Sequence, residues 1–294
     1  MNNIQEQFKH AMGQYGLTPP DILEPGILYR FAGKGKKAAN KSAYCKLFIN
    51  GNGGFFGDYT RGIRETWFAN KADYALVRKA QTKHHDDTNI KQKNAATKAR
   101  QLWVRAKAAN PHHAYLMKKQ VLPYKLKQNG KDLIVPIYDQ YDNMTTLQFI
   151  KSNGEKRFLS GGKKQGCCTF IGGKTEILYL CEGWATGATI HAATNCGVIV
   201  ALDSNNLKNI AAWLTQKYPE SYIFVCADND ITGVDDALKA AKSINQRTEP
   251  IIPQFPKNDI KATDFNDLMA LAGINSVRKQ IEEITQSQLE FLKT

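Results

Sequence analysis

The acidic residues that could do chemistry stand at the ends of apolar runs. Residues 177–181 run into Glu182-Gly183-Trp184-Ala185-Thr186-Gly187, and residues 222–226 run into Ala227-Asp228-Asn229-Asp230. A further apolar run, residues 198–202, lies between them. Short apolar runs of this kind read as buried strands. In an open parallel sheet the carboxyl ends of neighbouring strands share the edge where ligands bind, so Glu182, Asp228 and Asp230 are expected to converge. Carboxylates crowded into a half-buried crevice repel one another and hold their protons unless a cation sits between them. With oxygen donors alone, that cation is Mg²⁺ or Mn²⁺. Any one of these acids by itself would be an ordinary strand-end or cap residue. Two aspartates two apart at one strand end, with a Glu-Gly at another, point to a metal site.

The elements that position these acids come from a chain of 294 residues, long enough for two or three domains with a sizeable core. No apolar run is long enough to cross a bilayer. The first apolar residues (Ile4, Phe8, Met12, Tyr15) have the spacing of an amphipathic helix rather than a signal peptide. A cytoplasmic protein with no membrane contact is expected. Cys45, Cys167, Cys168, Cys181, Cys196 and Cys226 include no paired C-x-x-C and read as reduced core residues. Charge is uneven: residues 1–174 carry 30 Lys and Arg against 12 Asp and Glu, whereas residues 175–294 carry 10 against 15. Solvated surface lysine explains the excess but not why it stops at the carboxylate half. A polyanion held across the first half and acted on in the second explains both.

Along the chain, Gly16 and Thr18-Pro19-Pro20 end the first helix, and residues 27–31 could form a strand. A cationic loop follows (Lys34, Lys36, Lys37, Lys41). Residues 44–49 and 55–59 then read as a hairpin joined through Asn50-Gly51-Asn52-Gly53-Gly54. Phe55, Phe56, Tyr59 and Trp67 interleave with Arg61 and Arg64, a mixture that suits stacking of single-stranded bases. Lys36, Lys37, Arg61, Arg64 and Trp67 are thus candidate single-strand contacts, although the aromatics serve equally well as the core of a small β domain. Residues 71–109 read as basic helix with a polar break at His84-His85-Asp86-Asp87. The doubled histidines there and at His112-His113 lack the i,i+4 spacing of a metal-binding helix and read as surface residues.

Residues 133–138 and 145–150 form a hairpin-like pair, followed by Lys151 and the run Lys156-Arg157-Phe158-Leu159-Ser160-Gly161-Gly162-Lys163-Lys164. Glycines among lysines permit close backbone approach to phosphates. Gly172-Gly173-Lys174-Thr175 imitates the end of a P-loop, but it precedes a strand, and Cys168 stands where the first glycine is required. Beyond Asp230, Gly233 opens a helix with Val234, Ala237, Leu238, Ala241 and Ile244 on one face. Lys261 leads to Thr263-Asp264-Phe265-Asn266-Asp267-Leu268, where Asp264 and Asp267 either cap a helix or add metal ligands. An amphipathic helix over about residues 275–291 closes the sequence.

At residues 182–187, 228–230 and Gly233 the chain resembles the Toprim domain, shared by bacterial DnaG-type primases, topoisomerases and some nucleases. Glu-Gly-Trp-Ala-Thr-Gly is especially similar to the Glu-Gly-Tyr-Ala-Thr element of primases from satellite phages and conjugative plasmids. The resemblance extends upstream through Val135-Pro136-Ile137-Tyr138-Asp139, Leu147-Gln148-Phe149-Ile150, Arg157-Phe158-Leu159-Ser160 and Phe170-Ile171-Gly172, in the order of the basic half of a primase core. It covers roughly residues 100–270, with the segment from Asp264 to Leu268 similar to the one that closes the Toprim domain. Two features depart from the DnaG type: there is no cysteine-based zinc module, and no sizeable helicase-binding region follows.

The resemblance implies an RNA primase in which Glu182, Asp228 and Asp230 hold divalent metal, with Asp264 and Asp267 as further candidates. Together with charge, it implies that Lys151, Arg157, Lys163 and Lys164 hold NTP phosphates and template. Single-stranded DNA, NTPs and a replicative helicase or other replication protein are the implied partners, and a mobile genetic element the implied setting. A Toprim nuclease or a non-catalytic single-strand-binding accessory protein are the rivals; the chain is short for a topoisomerase. The expected architecture is α/β (α+β overall): a Rossmann-like parallel Toprim sheet with helices on both faces, preceded by a basic α+β subdomain. The expected divisions are residues 1–70 (template binding), 71–120 (basic helices), 121–174 (basic β subdomain), 175–272 (Toprim) and 273–294 (terminal helix).

Overall fold

The computed structural model describes residues 2–49, 51–245, 247–256 and 262–293, and the side chains of residues 2–3 and 71–86 are not among those described. The readings placed on Asn50, Lys261 and the side chains of His84, His85 and Asp86 lie outside the described residues. The chain forms two compact units, Met1–Asp87 and Thr88–Thr294.

In the first unit, helix α1 (Asn2–Gln14) buries Phe8 and Met12, one turn apart on its apolar face. They pack on an antiparallel meander of β1 (Tyr29–Phe31), β2 (Ala43–Leu47), β3 (Gly53–Asp58) and β4 (Ile63–Phe68). β2 and β3 are the hairpin read from the sequence, with Cys45 opposite Phe56. Helix α2 (Lys71–Arg105) follows and runs through residues 84–87 without the expected break. The residues there are polar, but none is the glycine or proline that usually interrupts a helix.

The second unit contains two sheets. The first is fully antiparallel, in the order β5 (Lys107–Ala108), β6 (Lys127–Asn129), β7 (Asp132–Tyr138), β8 (Met144–Ile150), β9 (Lys156–Phe158), with helix α3 (Ala114–Lys119) between β5 and β6. Ile134 and Leu147 face Ala99 of α2, while Leu133, Val135 and Ile150 enter a core shared with the second sheet.

That second sheet contains β10 (Thr169–Ile171), β11 (Lys174–Cys181), β12 (Cys196–Val200) and β13 (Tyr222–Val225), in the order β10-β12-β11-β13. β12, β11 and β13 are parallel, as expected; β10 adds an antiparallel edge on β12. The chain reaches this edge through a bridge between Tyr138 and Cys168, so β10 arrives from the neighbouring sheet without a helical crossover. The P-loop mimic lies where β10 gives way to β11. A side chain on Gly173 would stand 2.5 Å from the backbone of Cys196, so the glycine serves close packing there.

Both faces of the parallel sheet are covered. Leu178, Leu180, Ile199, Ile223 and Val225 pack under α5 (Leu207–Lys217) and α6 (Ile231–Ile244). The alternate residues Tyr179, Cys181, Val198, Val200, Phe224 and Cys226 pack under α4 (Trp184–Thr194), α7 (Phe265–Ala272) and α8 (Ile274–Lys293). Strands apolar on both faces are what a sheet sandwiched between helices requires. All six cysteines are free, and five of them are buried. No helix among the described residues is long and apolar enough to cross a membrane.

Helix α4 begins directly after Glu182, so its seating on the sheet fixes where that carboxylate starts. Gly187 makes the seating possible: a Cβ there would stand 2.6 Å from Val200 Cγ2 and 3.2 Å from Cys181 Sγ. Gly187→Ala is expected to destabilise the protein by about 1–3 kcal/mol through overpacking, read as a lowered denaturant midpoint at constant slope.

Candidate active site

Glu182 follows β11, and its carbonyl accepts the N–H of Leu202 at 2.8 Å. Leu202 has φ 66°, a left-handed conformation uncommon for a branched apolar residue, and it turns the chain away from β12 toward Asp203. Asp228 follows β13, whose end is held by the N–H of Ala227 on the Ile251 carbonyl at 2.9 Å. Asp230 caps α6: its Oδ1 accepts the Gly233 N–H at 2.7 Å. A Cβ on Gly233 would lie 2.7 Å from the Asp228 carbonyl, so glycine lets α6 start directly against Asp228.

A fourth acid arrives from far along the chain. Asn229 donates its N–H to the Thr263 carbonyl at 2.6 Å, drawing residues 262–264 to the sheet edge. Asp264 then caps α7, its Oδ1 accepting the Asp267 N–H at 2.8 Å and its Oδ2 accepting from Thr186 Oγ1 at 3.1 Å. Asp267 is turned aside, 3.6 Å from Lys119 Nζ, and accepts the Thr263 N–H at 3.1 Å.

The electrostatics identify the centre of the group. Asp228 is largely buried, its Oδ1 has no hydrogen-bond partner, and its carboxyl is pushed up to about 7. Burial is the largest cause, followed by repulsion from Asp264, Glu182 and Asp230. Glu182 is raised as well, by burial first and then by Asp203, with Lys156 opposing. Lys156 is held below its ordinary value by loss of water and by Lys119, while Asp264, Glu182 and Asp228 pull it the other way. Part of the Lys156 side chain stays open to solvent.

Among the described residues no three His, Cys, Asp or Glu side chains form a ready-made metal cage. Asp230 and Asp264 point at helix termini, and Asp267 points at a lysine. The donor chemistry nonetheless fits a hard divalent cation. The group offers oxygen donors only, and one of them, Asp228 Oδ1, is buried without a partner in a field of like charge.

The basic candidates fall at separate places. Lys151 pairs with Glu155 at 2.7 Å, and Arg157 pairs with Asp132 at 3.3 Å while lying over the Phe149 ring. Lys163 is exposed, and Lys164 lies 4.4 Å from the centre of the Phe158 ring. The cation that faces the acids is Lys156, which the sequence reading passed over in favour of Arg157. Neighbours in a strand point to opposite faces. Lys156 pairs with Ile150 on the side of the shared core, so Arg157 takes the α2 side. The signal was the register of a three-residue strand.

In the first unit Lys36, Lys37, Arg61 and Arg64 are exposed, and Arg61 Nη1 donates to the Tyr15 carbonyl at 2.7 Å. Trp67 packs against the core, 5.4 Å from the Phe8 ring. The aromatics divide between roles: Phe56 is core, and Tyr59 is exposed with Arg30 over its ring.

Residues 177–275 match the Toprim domain model. The chain is 26% identical to the Escherichia coli protein named DNA primase TraC over 85% of its own length, and it spans only 26% of that relative. Among solved structures, the DnaG primase catalytic domain bound to ssDNA superposes on 66% of this chain and 80% of its own, with TM-score 0.47 and 11% identity. The primase fragment of the bacteriophage T7 primase-helicase superposes on 86% of this chain and 99% of its own, with TM-score 0.45 and 10% identity.

Asp228 makes a test available without any substrate. Its native carboxyl holds a proton up to about pH 7, whereas an unfolded aspartate loses it near 3.9. The native state therefore binds more protons between those values, and stability falls as pH rises through that window. Asp228→Asn in metal-free buffer is expected to raise stability at both pH 5 and pH 8, and by more at pH 8, the two gains differing by about 2–3 kcal/mol. Urea denaturation at the two pH values measures the difference.

Proposed function

From the match of residues 177–275 to the Toprim domain model we propose that the chain is the catalytic core of a DNA primase. It would synthesise short oligoribonucleotides on single-stranded DNA by two-metal nucleotidyl transfer, in the replication of a mobile genetic element. The observation that carries this reading is Asp228 Oδ1, buried without a hydrogen-bond partner in a carboxyl group crowded by Glu182 and Asp264 and faced by Lys156. The relative named DNA primase TraC supports it.

In this reading Glu182, Asp228 and Asp230 hold Mg²⁺ or Mn²⁺, with Asp264 and Asp267 beside them. The bound ions supply charge neutralisation at the triphosphate and a lowered pKa for the attacking 3′-hydroxyl. Lys156 is the chain's own counter-charge: an ammonium aimed at the acids meets the phosphate oxygens that lie between them. Thr186 holds Asp264 in place from the first turn of α4. Lys163 and Lys164 extend the positive charge away from the site toward template, whereas Lys151 and Arg157 reach phosphate only by leaving Glu155 and Asp132. Lys36, Lys37, Arg61 and Arg64 give the first unit a cationic surface for the single strand. A replicative helicase or other replication protein would deliver that strand.

The test is incubation with single-stranded DNA, labelled NTPs and Mg²⁺ or Mn²⁺, with products sized on a gel. Oligoribonucleotides are expected, and Glu182→Gln and Asp228→Asn should each lower their yield by about a hundredfold or more. Lys156→Gln should lower it while leaving the fold intact. Nicking or degradation without NTPs would instead identify a nuclease, and absence of product across varied templates would overturn the reading.

A further inference from the structure

One hydroxyl close to the acids has nothing to bond. Tyr115, in α3, is 3% exposed, and its Oη is buried without a hydrogen-bond partner, a condition it shares with Asp228 Oδ1. A phenol left unbonded in the interior costs stability. Phenylalanine would fill the same space without that cost.

The ring is fixed from several sides. The Tyr115 N–H donates to His113 Nδ1 at 3.2 Å, and His113 Nε2 meets the Lys131 carbonyl at 2.9 Å. With Nδ1 accepting, the imidazole proton sits on Nε2 and both ring nitrogens are used. A side chain on Gly154, in the β8–β9 turn, would stand 3.8 Å from the tyrosine ring, so the turn lies over it. The ring packs in one core with Leu116, Trp184, Ala185 and Phe265. Trp184 and Ala185 follow Glu182-Gly183 and Phe265 follows Asp264, which sets this cluster directly behind the acids.

Helix α3 is docked on α7 and α4 through Asn266, whose Nδ2 donates to the Lys119 carbonyl at 2.7 Å and to Thr189 Oγ1 at 2.9 Å. Tyr115 and Lys119 are four residues apart and share one face of α3. Lys119 Nζ reaches Asp267, in the first turn of α7, at 3.6 Å. Tyr115 stands one turn earlier on that face, toward the cap residue Asp264. Burial first, and then the charge of Asp264, push the phenol up to about 12, so at neutral pH it is a donor. The Asp264 oxygens already accept the Asp267 N–H and Thr186 Oγ1. A carboxylate has room for further donors beyond these two.

We propose that Tyr115 is a positioning residue of the divalent-cation site: when the cation is bound, its hydroxyl donates to the Asp264 carboxylate and orients it as a ligand. This rests on the metal reading of the acids given above, and it adds a residue from outside the stretch matched to the Toprim model. Ligating carboxylates are themselves held by hydrogen bonds from behind, and such outer donors tune the affinity of the site. Tyr115 touches no reacting atom. Its hydroxyl is kept for a bond that forms only in the loaded protein.

The test is Mn²⁺ binding by electron paramagnetic resonance, which needs neither template nor NTP, with urea denaturation in metal-free buffer beside it. Tyr115→Phe should weaken Mn²⁺ binding about ten- to a hundredfold. It should also raise the metal-free urea midpoint, because the unbonded hydroxyl is gone. A lowered midpoint would mark a tyrosine that serves packing, and unchanged Mn²⁺ affinity one with no part in the site; either result overturns the proposal. Asp264→Asn keeps a side chain that caps α7, and it should weaken Mn²⁺ binding by itself. Adding Tyr115→Phe to it should cost nothing more, whereas additive losses would show that Tyr115 does not act through Asp264. Tyr141→Phe, exposed on the β7–β8 turn, should change neither quantity. Wild-type Mn²⁺ affinity in Tyr115→Phe with lost affinity in Asp228→Asn would remove the role of Tyr115 and leave the primase reading standing. Failure of the wild-type chain to bind Mn²⁺ would remove both.

Discussion

Like charge held at close quarters is the constraint on which this structure turns. Asp228 stands just beyond β13, the outermost strand of the parallel set, with one buried oxygen unpartnered, and three further acids raise the cost of ionising it. A fold does not keep such a group for stability, because a neutral side chain of the same shape would serve better. The surrounding design consists of devices that hold the acids there: Gly233 lets α6 start against Asp228, Asn229 tethers the loop that brings Asp264, and Gly187 seats α4 behind Glu182. Each device is local and cheap. Together they keep a repulsive arrangement in place.

Opposite sign is distributed with equal care. The antiparallel sheet presents Lys156 to the acids and Arg157 away from them, by nothing more than strand alternation. Cations not needed at the centre are engaged elsewhere: Arg157 with Asp132, Lys151 with Glu155, Lys127 with the Trp103 carbonyl and ring. Among the described residues, the cations of the acid-free stretch from 88 to 131 form one ion pair, that of Lys119 with Asp267, in keeping with a surface whose counter-charge comes from outside the chain.

Much of this was legible in sequence because it is local. The runs at 177–181, 198–202 and 222–226 mark the strands that the structure ends at Cys181, Val200 and Val225, their two apolar faces showing as unbroken hydrophobicity. The hairpins at 44–59 and 133–150 were announced by their turns. What escaped reading depends on partners distant in the chain. The antiparallel β10 edge follows from a bridge at Tyr138, the inward aim of Lys156 from its register against Ile150, and the nearness of Asp203 to Glu182 from a left-handed turn at Leu202. The dual character of Asp264 could not be resolved from spacing: it does cap α7, and it also stands in the repulsive group around Asp228. The unbroken α2 shows the limit of composition, since polar residues without glycine or proline do not stop a helix.

The two sheets of the second unit share one core: Leu133, Val135 and Ile150 pack with Tyr179, Val198 and Phe224. A cleft whose two walls are bolted through the same hydrophobic interior has no pivot at its base. Access and release there fall to the rim, where the exposed ammonium of Lys156 rides on a strand of only three residues at the sheet margin. The rigidity of such an architecture confines motion at the cleft to the swing of side chains along its rim and leaves no hinge on which one wall could close over the other.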